Sequence, residues 1–302
     1  MIEARERGEV VASLRASDAR IYERFGYSVA SSSARLEVER EAAKLRPDGA
    51  RGGDVRLVDP DQAWPLLAET YARQPAGRAG AIARPSYWWR LQQLRRQGAA
   101  EPEYVAVSGA PGQEAGFVRY HPIGIENWFS GARRTVVVDD FVAEGLDAYG
   151  ALIGHLLSVD LVDVIVFASR PIDDPLPELI EDRRAVRVAE IRDETWLRLL
   201  DVRAALAARS YAGRSEVVLE IVDPLIPENS GRFRIFPEGV TQTGAPANAR
   251  ADVSALAAAY LGGTRWWQLQ QAGRVSERDA GAIAALDGLF AAANLPHAGT
   301  VF

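Results

Sequence analysis

Tyr22 is the side chain of this sequence that is best suited to chemistry. It lies in the segment 21–27 (Ile-Tyr-Glu-Arg-Phe-Gly-Tyr), which is rich in aromatic residues and interrupted by one glycine. A phenol has a reference pKa of about 10, so it is protonated at neutral pH and can donate to a leaving group of similar basicity, such as a thiolate. The alternative is that Tyr22 only packs with Phe25 and Tyr27, because short aromatic clusters usually belong to a core.

Several other reaction classes lack the residues that they need. The chain has no cysteine, which excludes disulfides, thiol nucleophiles and cysteine-ligated metal sites. The three histidines are His121, His155 and His297, and no two of them have the spacing of metal ligands. Neither a G-x-S-x-G nucleophile turn nor a G-x-x-x-x-G-K-[ST] phosphate loop occurs in the sequence.

Two pairs of carboxylates, Asp139-Asp140 and Asp173-Asp174, are better explained by structure than by acid–base catalysis. Adjacent residues of a strand point to opposite faces, so the first pair does not easily share a proton. The second pair precedes Pro175, a combination that is typical of turns and helix caps. We therefore assign both pairs structural roles.

The composition indicates an ordinary globular protein. Its 302 residues are 48% hydrophobic and 25% charged, with a net charge of −6, which argues against a nucleic acid partner. An acidic surface raises the local concentration of a cationic small substrate, although it can also serve solubility alone. No apolar run reaches membrane-spanning length, and residues 1–7 lack the apolar core of a signal peptide. We expect a cytoplasmic protein without a membrane partner.

The elements around Tyr22 predict part of a larger domain. In order, the pattern predicts a helix ending at Gly8, a buried strand over 10–14, a short helix capped by Ser17 or Asp18, and a strand over 27–38. A buried strand needs neighbours in a sheet, and this segment does not supply them. We expect that the domain to which residues 1–43 belong begins upstream of Met1.

Two further units are predicted after a Gly/Pro-rich linker over residues 44–54. The unit over 55–202 begins with a strand, two helices and a hairpin. A series of helix, strand, helix and strand follows and ends in a strand over 195–200. The unit over 203–302 has a strand over 217–222, a hairpin over 232–243, a helix over 252–261 capped by Asp252 or Ser254, and a last helix capped by Ser276. The predicted fold class is α+β.

Segments spread across the whole chain resemble one family in their order and spacing. These segments cover residues 16–27, 174–184, 195–211, 219–223, 260–263 and 272–275, with Pro296 and the final Phe302. The chain is similar to the enhanced-intracellular-survival type of N-acetyltransferases, which belong to the GCN5-related (GNAT) superfamily. The resemblance implies two GNAT-like regions in tandem, the second of them degenerate, and a C-terminal domain like sterol carrier proteins.

The resemblance also implies a reaction and the residues that carry it. Acetyl-CoA is the cosubstrate, and small cationic amines such as aminoglycosides, or lysine side chains, are the acceptors. Tyr22 is implied as general acid towards the departing thiolate, the C-terminal carboxylate of Phe302 as the base, and Ser17 as a contact of the cofactor. Members of the family form homo-oligomers described as hexamers.

One part of the family pattern is expected outside the printed chain. The backbone turn that holds the coenzyme A pyrophosphate at a helix N-terminus is expected just before residue 2. Its counterpart in the middle unit, residues 141–150, has no basic residue and no glycine-spaced turn. We therefore expect a truncated form, and we expect the 302 residues alone not to bind acetyl-CoA. The alternative function is a non-catalytic binding or scaffold protein built on residues 203–302.

Overall fold

A computed structural model describes residues 1–49, 53–74 and 77–301. The chain divides into two compact units. The first contains Met1–Ser32, Arg78–Ala81 and Arg192–Phe302, and the second contains Ser33–Gly77 and Ile82–Ile191. None of the helices in the described ranges combines the length and the apolar character that crossing a membrane requires.

The described helices are short, with none longer than fourteen residues. In chain order they are α1 (Ile2–Glu6), α2 (Ala19–Tyr22), α3 (Pro60–Arg73), α4 (Ser86–Gln97), α5 (Gly145–Ser158), α6 (Leu176–Leu179), α7 (Val202–Ala208), α8 (Val253–Tyr260), α9 (Trp266–Gln271) and α10 (Ala282–Leu289). Four 3-10 turns accompany them, at Glu23–Phe25, Ile125–Asn127, Arg183–Ala185 and Pro227–Asn229.

The described strands belong to two sheets. In chain order they are β1 (Val11–Leu14), β2 (Ser28–Glu39), β3 (Val55–Val58), β4 (Tyr104–Ser108), β5 (Gly116–Ile123), β6 (Thr135–Ala143), β7 (Val164–Pro171), β8 (Val186–Leu199), β9 (Val217–Val222), β10 (Gly231–Phe236), β11 (Gly239–Gln242), β12 (Ala249–Asp252) and β13 (Val275–Glu277). Strands β2 and β8 begin in one unit and end in the other.

The first unit is built on a five-stranded sheet and a short three-stranded edge. The five strands have the order β11-β10-β9-β12-β13, with β9 and β12 parallel and the other neighbours antiparallel. The three-stranded part has the order β1-β8-β2, and β1 is antiparallel to the end of β8. Leu219, Ile235, Leu256 and Leu286 lie in one fully buried core, to which the end of β8 also contributes. Burial of such apolar side chains is the main stabilising term of the unit.

The second unit is a mixed sheet with the strand order β2-β7-β6-β5-β4-β3. Only β6 and β7 are parallel among these neighbours. Helix α5 is apolar on most of its surface, and its Leu152, Ile153 and Leu156 are buried against the sheet. A parallel pair joined through a helix, beside antiparallel strands, makes the class α+β, as predicted.

Several predicted elements appear at their predicted places. The strand over 217–222 has its predicted bounds, and Asp252 caps α8 by accepting the backbone N–H of Ala255 at 2.7 Å. The predicted hairpin pairs Tyr104 with Tyr120 across β4 and β5. The linker prediction over 44–54 includes residues 50–52, which lie outside the described residues.

The prediction for the end of the chain is wrong in one respect. Ser276 does not cap the last helix, because it lies in strand β13, and α10 begins at Ala282 after Gly281. The short elements β12, α9 and β13 were also not expected. Elements of three to six residues carry too little periodicity to be predicted. Their structure is decided by the pairing of β12 with β9 and β13 and by the burial of Trp266 in α9.

Candidate active site

The end of strand β8 organises the candidate site. Alternate residues of a strand point to opposite faces. Leu197 and Leu199 enter the core of the first unit, whereas Glu194, Trp196 and Arg198 have the other parity and are also buried. Each of these three side chains holds a different part of the first unit, as the following contacts show.

Tyr22 lies at the end of the four-residue helix α2. Asp18 caps this helix by accepting the backbone N–H of Arg20 at 3.0 Å. The half-buried Tyr22 ring lies between Tyr27 and Trp196, with centroid distances of 6.1 and 6.2 Å. Phe25 is 38% exposed and is not part of this stack, so the ring is supported by β8 rather than by a local aromatic cluster alone. Burial raises the pKa of Tyr27 despite the nearby positive charge of Arg198.

Gly26 ends the 3-10 turn that follows Tyr22. Its φ of 79° lies in the left-handed region, and its N–H donates to Glu23 O at 2.8 Å. A Cβ at this position would lie 2.8 Å from Arg198 Nε and 3.0 Å from Val253 Cγ1. Two features therefore require glycine at this position: the left-handed backbone conformation and the close approach of the Arg198 guanidinium.

Gly26→Ala is expected to destabilise the protein by more than the cost of the left-handed backbone conformation alone. The matched control is Gly8→Ala, because Gly8 has a similar φ of 87° but no atom within 4 Å of the added Cβ. The control should lose about 1–2 kcal/mol from the left-handed backbone, and Gly26→Ala about 1–3 kcal/mol more from crowding. Urea unfolding of both variants measures the difference. Equal free energies of unfolding would show that the contact with Arg198 is easily relieved.

Arg198 forms a completely buried ion pair with Asp223. Its Nη2 donates to Asp223 Oδ2 at 2.6 Å, and its Nη1 donates to Leu199 O at 2.9 Å. The carboxylate of Asp223 also accepts the backbone N–H of Ile226 at 3.1 Å and the side-chain amide of Asn229 at 2.9 Å. These bonds fix the guanidinium that lies close to Gly26 and connect it to the loop after β9.

Arg274 supplies a second support for the same segment. Its Nη2 donates to Ser28 Oγ at 3.2 Å and to Ser254 Oγ at 3.0 Å. Its Nη1 lies 3.8 Å from the carboxylate of Glu23, the residue after Tyr22. Two arginines that are distant in sequence thus lie against the Tyr22 segment, Arg198 at Gly26 and Arg274 at Glu23, which restricts its movement.

Glu194 receives the C-terminal segment. Its Oε2 accepts the backbone N–H of Ala298 at 2.8 Å and the hydroxyl of Ser31 at 2.9 Å. Its Oε1 lies 3.1 Å from His297 Nδ1 and 3.5 Å from Arg15 Nη2. Burial raises the pKa of Glu194, but the bonds from His297, Ala298 and Ser31 outweigh it and hold the pKa below its ordinary value of 4.5.

The structure describes two of the three predicted site residues, Tyr22 and Ser17. Tyr22 is half-buried, and Ser17, one residue before the Asp18 cap, is exposed. Phe302 lies outside the described residues. The segment before it can be followed to Thr300, whose carbonyl accepts Arg15 Nη2 at 2.8 Å. Arg15 lies two residues before Ser17, so this contact ties the C-terminal segment to the stretch of chain that leads to Tyr22.

The carboxylates of the second unit have structural partners, as predicted. Asp140 forms a buried pair with Arg84 at 2.6 Å, while Asp139 lies 2.6 Å from His121 on the other face of the strand. Asp174 accepts the hydroxyl of Tyr149 at 2.5 Å and the backbone N–H that begins α6 at 3.0 Å.

The N-terminus of α5 is a poor seat for a pyrophosphate. Helix N-termini favour anions through free N–H groups and the helix dipole. Here Glu144 is the N-cap residue and Asp147 lies in the first turn, so two carboxylates would repel a phosphate. These residues do not fit coenzyme A, in agreement with the missing basic turn in this part of the sequence.

Glu194, Arg198 and Arg274 were not among the predicted site residues. A signal for the first two was present, because they are charged residues four positions apart in the mostly apolar segment 194–200, Glu-Thr-Trp-Leu-Arg-Leu-Leu. Charges inside such a run require buried partners. Nothing in the local sequence around Arg274 indicates that it contacts Ser28.

Comparison with known proteins shows the family. Residues 80–203 match the acetyltransferase (GNAT) domain, and residues 202–299 match a sterol carrier protein domain. A Streptomyces coelicolor protein named as an uncharacterised N-acetyltransferase is 36% identical over 92% of this chain and 68% of its own length. The chain belongs to the family of Eis-like N-acetyltransferases.

Two mycobacterial proteins are also similar to this chain. The N-acetyltransferase Eis of Mycobacterium tuberculosis is 32% identical over 94% of this chain and 70% of its own length. The crystal structure of Eis1 from Mycobacterium abscessus is 47% identical and covers all of this chain and 76% of that one, with a TM-score of 0.93. The mixed sheet and the C-terminal sterol-carrier-like region therefore follow the Eis fold. Tyr22 precedes both matched domain ranges.

Proposed function

We propose that this Eis-like protein transfers an acetyl group from acetyl-CoA to a primary amine, with Tyr22 as the general acid. The observation that carries the proposal is the position of the Tyr22 phenol. It is half-buried against Trp196, on a segment that Arg198 approaches at Gly26 and Arg274 contacts at Glu23. A proton donor must be held at hydrogen-bond distance from the reacting atom, and the fixed position of this phenol supports such a role.

The chemistry balances with one acid and one base. When bound, acetyl-CoA supplies the acetyl group as a thioester. The amine nitrogen forms a bond to the carbonyl carbon, the carbon–sulfur bond breaks, and Tyr22 donates its proton to the departing sulfur. A base removes a proton from the amine, and Tyr22 is reprotonated from solvent for the next turnover.

For the base we propose the C-terminal carboxylate of Phe302. A free α-carboxylate has a reference pKa of about 3.3–3.7. Burial would raise this pKa and make the group a better base, whereas a nearby ammonium would lower it. The hold of Arg15 on Thr300 supports the proposal, because it fixes the backbone two residues earlier. The exposed Ser17 is proposed as a contact of the cofactor.

The proposed acceptors are small cationic amines, such as aminoglycosides, or lysine side chains. A net charge of −6 supports this class through electrostatic attraction. A cytoplasmic location and a hexameric homo-oligomer remain predictions, as do the domain bounds 1–43, 55–202 and 203–302. The names of the relatives favour this enzyme function over a non-catalytic binding protein.

Release of coenzyme A thiol tests the proposed function. The protein, expressed from its entire reading frame, is mixed with acetyl-CoA and an aminoglycoside or a lysine peptide, and thiol is followed with a disulfide reagent. The 302 residues contain no cysteine, so they add no background. We expect thiol release that depends on the amine, with the acetyl group located on the acceptor by mass spectrometry. The matched controls are the same acceptors with their amines blocked, and equal thiol release from them would contradict the proposal.

A further inference from the structure

A buried carboxylate, Glu194, is one of the groups that hold the C-terminal segment. The side chain of Glu194 is fully buried, yet it meets donors from three separate parts of the first unit. Ser31 comes from β2, Arg15 follows β1, and His297 with Ala298 comes from the C-terminal segment. Both oxygens of the carboxylate therefore have partners.

This segment is bound along its length rather than at one point. Leu295 O accepts Arg78 Nη1 at 2.8 Å, and the His297 N–H donates to Ala79 O at 3.1 Å. His297 and Thr300 are only 8% and 4% exposed. Segments near chain termini are usually poorly ordered unless specific contacts hold them. The contacts here therefore place the backbone of residues 295–300 in one position.

The same strand positions the phenol and this segment. Glu194 and Trp196 are two residues apart on β8, and the Trp196 ring lies against Tyr22 at 6.2 Å. A strand keeps side chains at i and i+2 on one face, about 6–7 Å apart. Because one rigid element holds both, their relative position does not depend on a flexible connection.

Stability alone does not explain a charge at this place. Burying a carboxylate costs desolvation, and apolar replacements of buried ion pairs are often neutral or stabilising. We propose that Glu194 is a positioning residue, which fixes the C-terminal segment beside Tyr22 for acetyl transfer. The proposal rests on the proposed function, since it assigns the base to the end of this segment.

Glu194→Gln tests the proposal, because glutamine keeps the shape and one acceptor but removes the charge facing Arg15 and His297. The matched control is Glu190→Gln, an exposed carboxylate on the same strand. Glu194→Asp keeps the charge and serves as the rescue variant. Hydrogen–deuterium exchange of residues 295–301 measures the hold on the segment, and steady-state kinetics with acetyl-CoA and an amine measure its consequence.

We expect exchange in residues 295–301 of Glu194→Gln to rise at least about 10-fold, with exchange in β9 and α8 unchanged. The kcat should decrease by as much as about 10²-fold because the base is displaced. KM for acetyl-CoA should change little because cofactor binding is unaffected. Glu194→Asp should recover part of kcat, and Glu190→Gln should behave as the unmodified protein.

Two results would overturn the proposal. Unchanged exchange in residues 295–301 would show that Glu194 does not hold the segment. Faster exchange with unchanged kcat would show that the hold has no part in catalysis. If the unmodified protein transfers no acetyl group to any amine, the proposed function fails instead, and the exchange measurement still decides whether Glu194 fixes the segment.

Discussion

Tyr22→Phe is expected to lower kcat for acetyl transfer by about 10²–10⁴-fold, the usual contribution of a general acid. Phenylalanine retains the ring, so its contacts with Tyr27 and Trp196 are preserved and the fold should be unaffected. Only the proton donor is removed, and the thiolate must then leave without protonation. KM for acetyl-CoA should change little, because the hydroxyl acts mainly on the departing sulfur.

The control for this variant is Tyr87→Phe, which removes a hydroxyl from a tyrosine that is 74% exposed on α4. Thiol release under saturating acetyl-CoA and amine gives kcat for both variants. Thermal unfolding checks that neither loses stability. If kcat for Tyr22→Phe stays within about threefold of the value for the unmodified protein, another group must protonate the sulfur. Such a small change is well short of the usual contribution of a general acid.

The fold could be predicted where residues repeat with a regular period over a long enough segment. Helix α5 and strand β9 were predicted because each has several buried apolar residues at helical or strand spacing. Strand β12, Ala-Arg-Ala-Asp, alternates buried and exposed residues, but its four residues are too few and its alanines too weak a strand signal to predict it without its pairing to β9 and β13. Its structure depends on tertiary contacts that no local pattern contains.

For the candidate site, too, local features could be predicted from the sequence, whereas contacts between distant residues could not. Tyr22 and its helix cap were predicted from neighbouring residues. The groups that hold them were not, because Glu194 meets Ser31 and Ala298 across separations of 163 and 104 residues. A single sequence reports which residues can do chemistry, but their juxtaposition is a result of folding. Strand β8 makes that juxtaposition, since its alternate residues contact segments from both ends of the chain.

Arg198→Met is expected to be among the most destabilising single changes in the first unit. Methionine has a similar length and fills the space, but it leaves the fully buried carboxylate of Asp223 without its cation. Breaking such a pair typically costs about 3–5 kcal/mol in the free energy of unfolding. Replacing Asp223 by leucine as well should not restore stability, because Asp223 also accepts Ile226 N–H and the amide of Asn229.

The matched control is Arg20→Met, which removes an arginine from an exposed pair with Asp18 at 2.8 Å. Exposed pairs contribute little because water and salt screen them. Urea unfolding should therefore shift strongly for Arg198→Met and hardly at all for Arg20→Met. Since Arg198 also contacts the Gly26 turn, the folded fraction of Arg198→Met should show faster hydrogen exchange in residues 22–28. Equal unfolding curves for the two variants would mean that the buried pair neither stabilises the unit nor supports the Tyr22 segment.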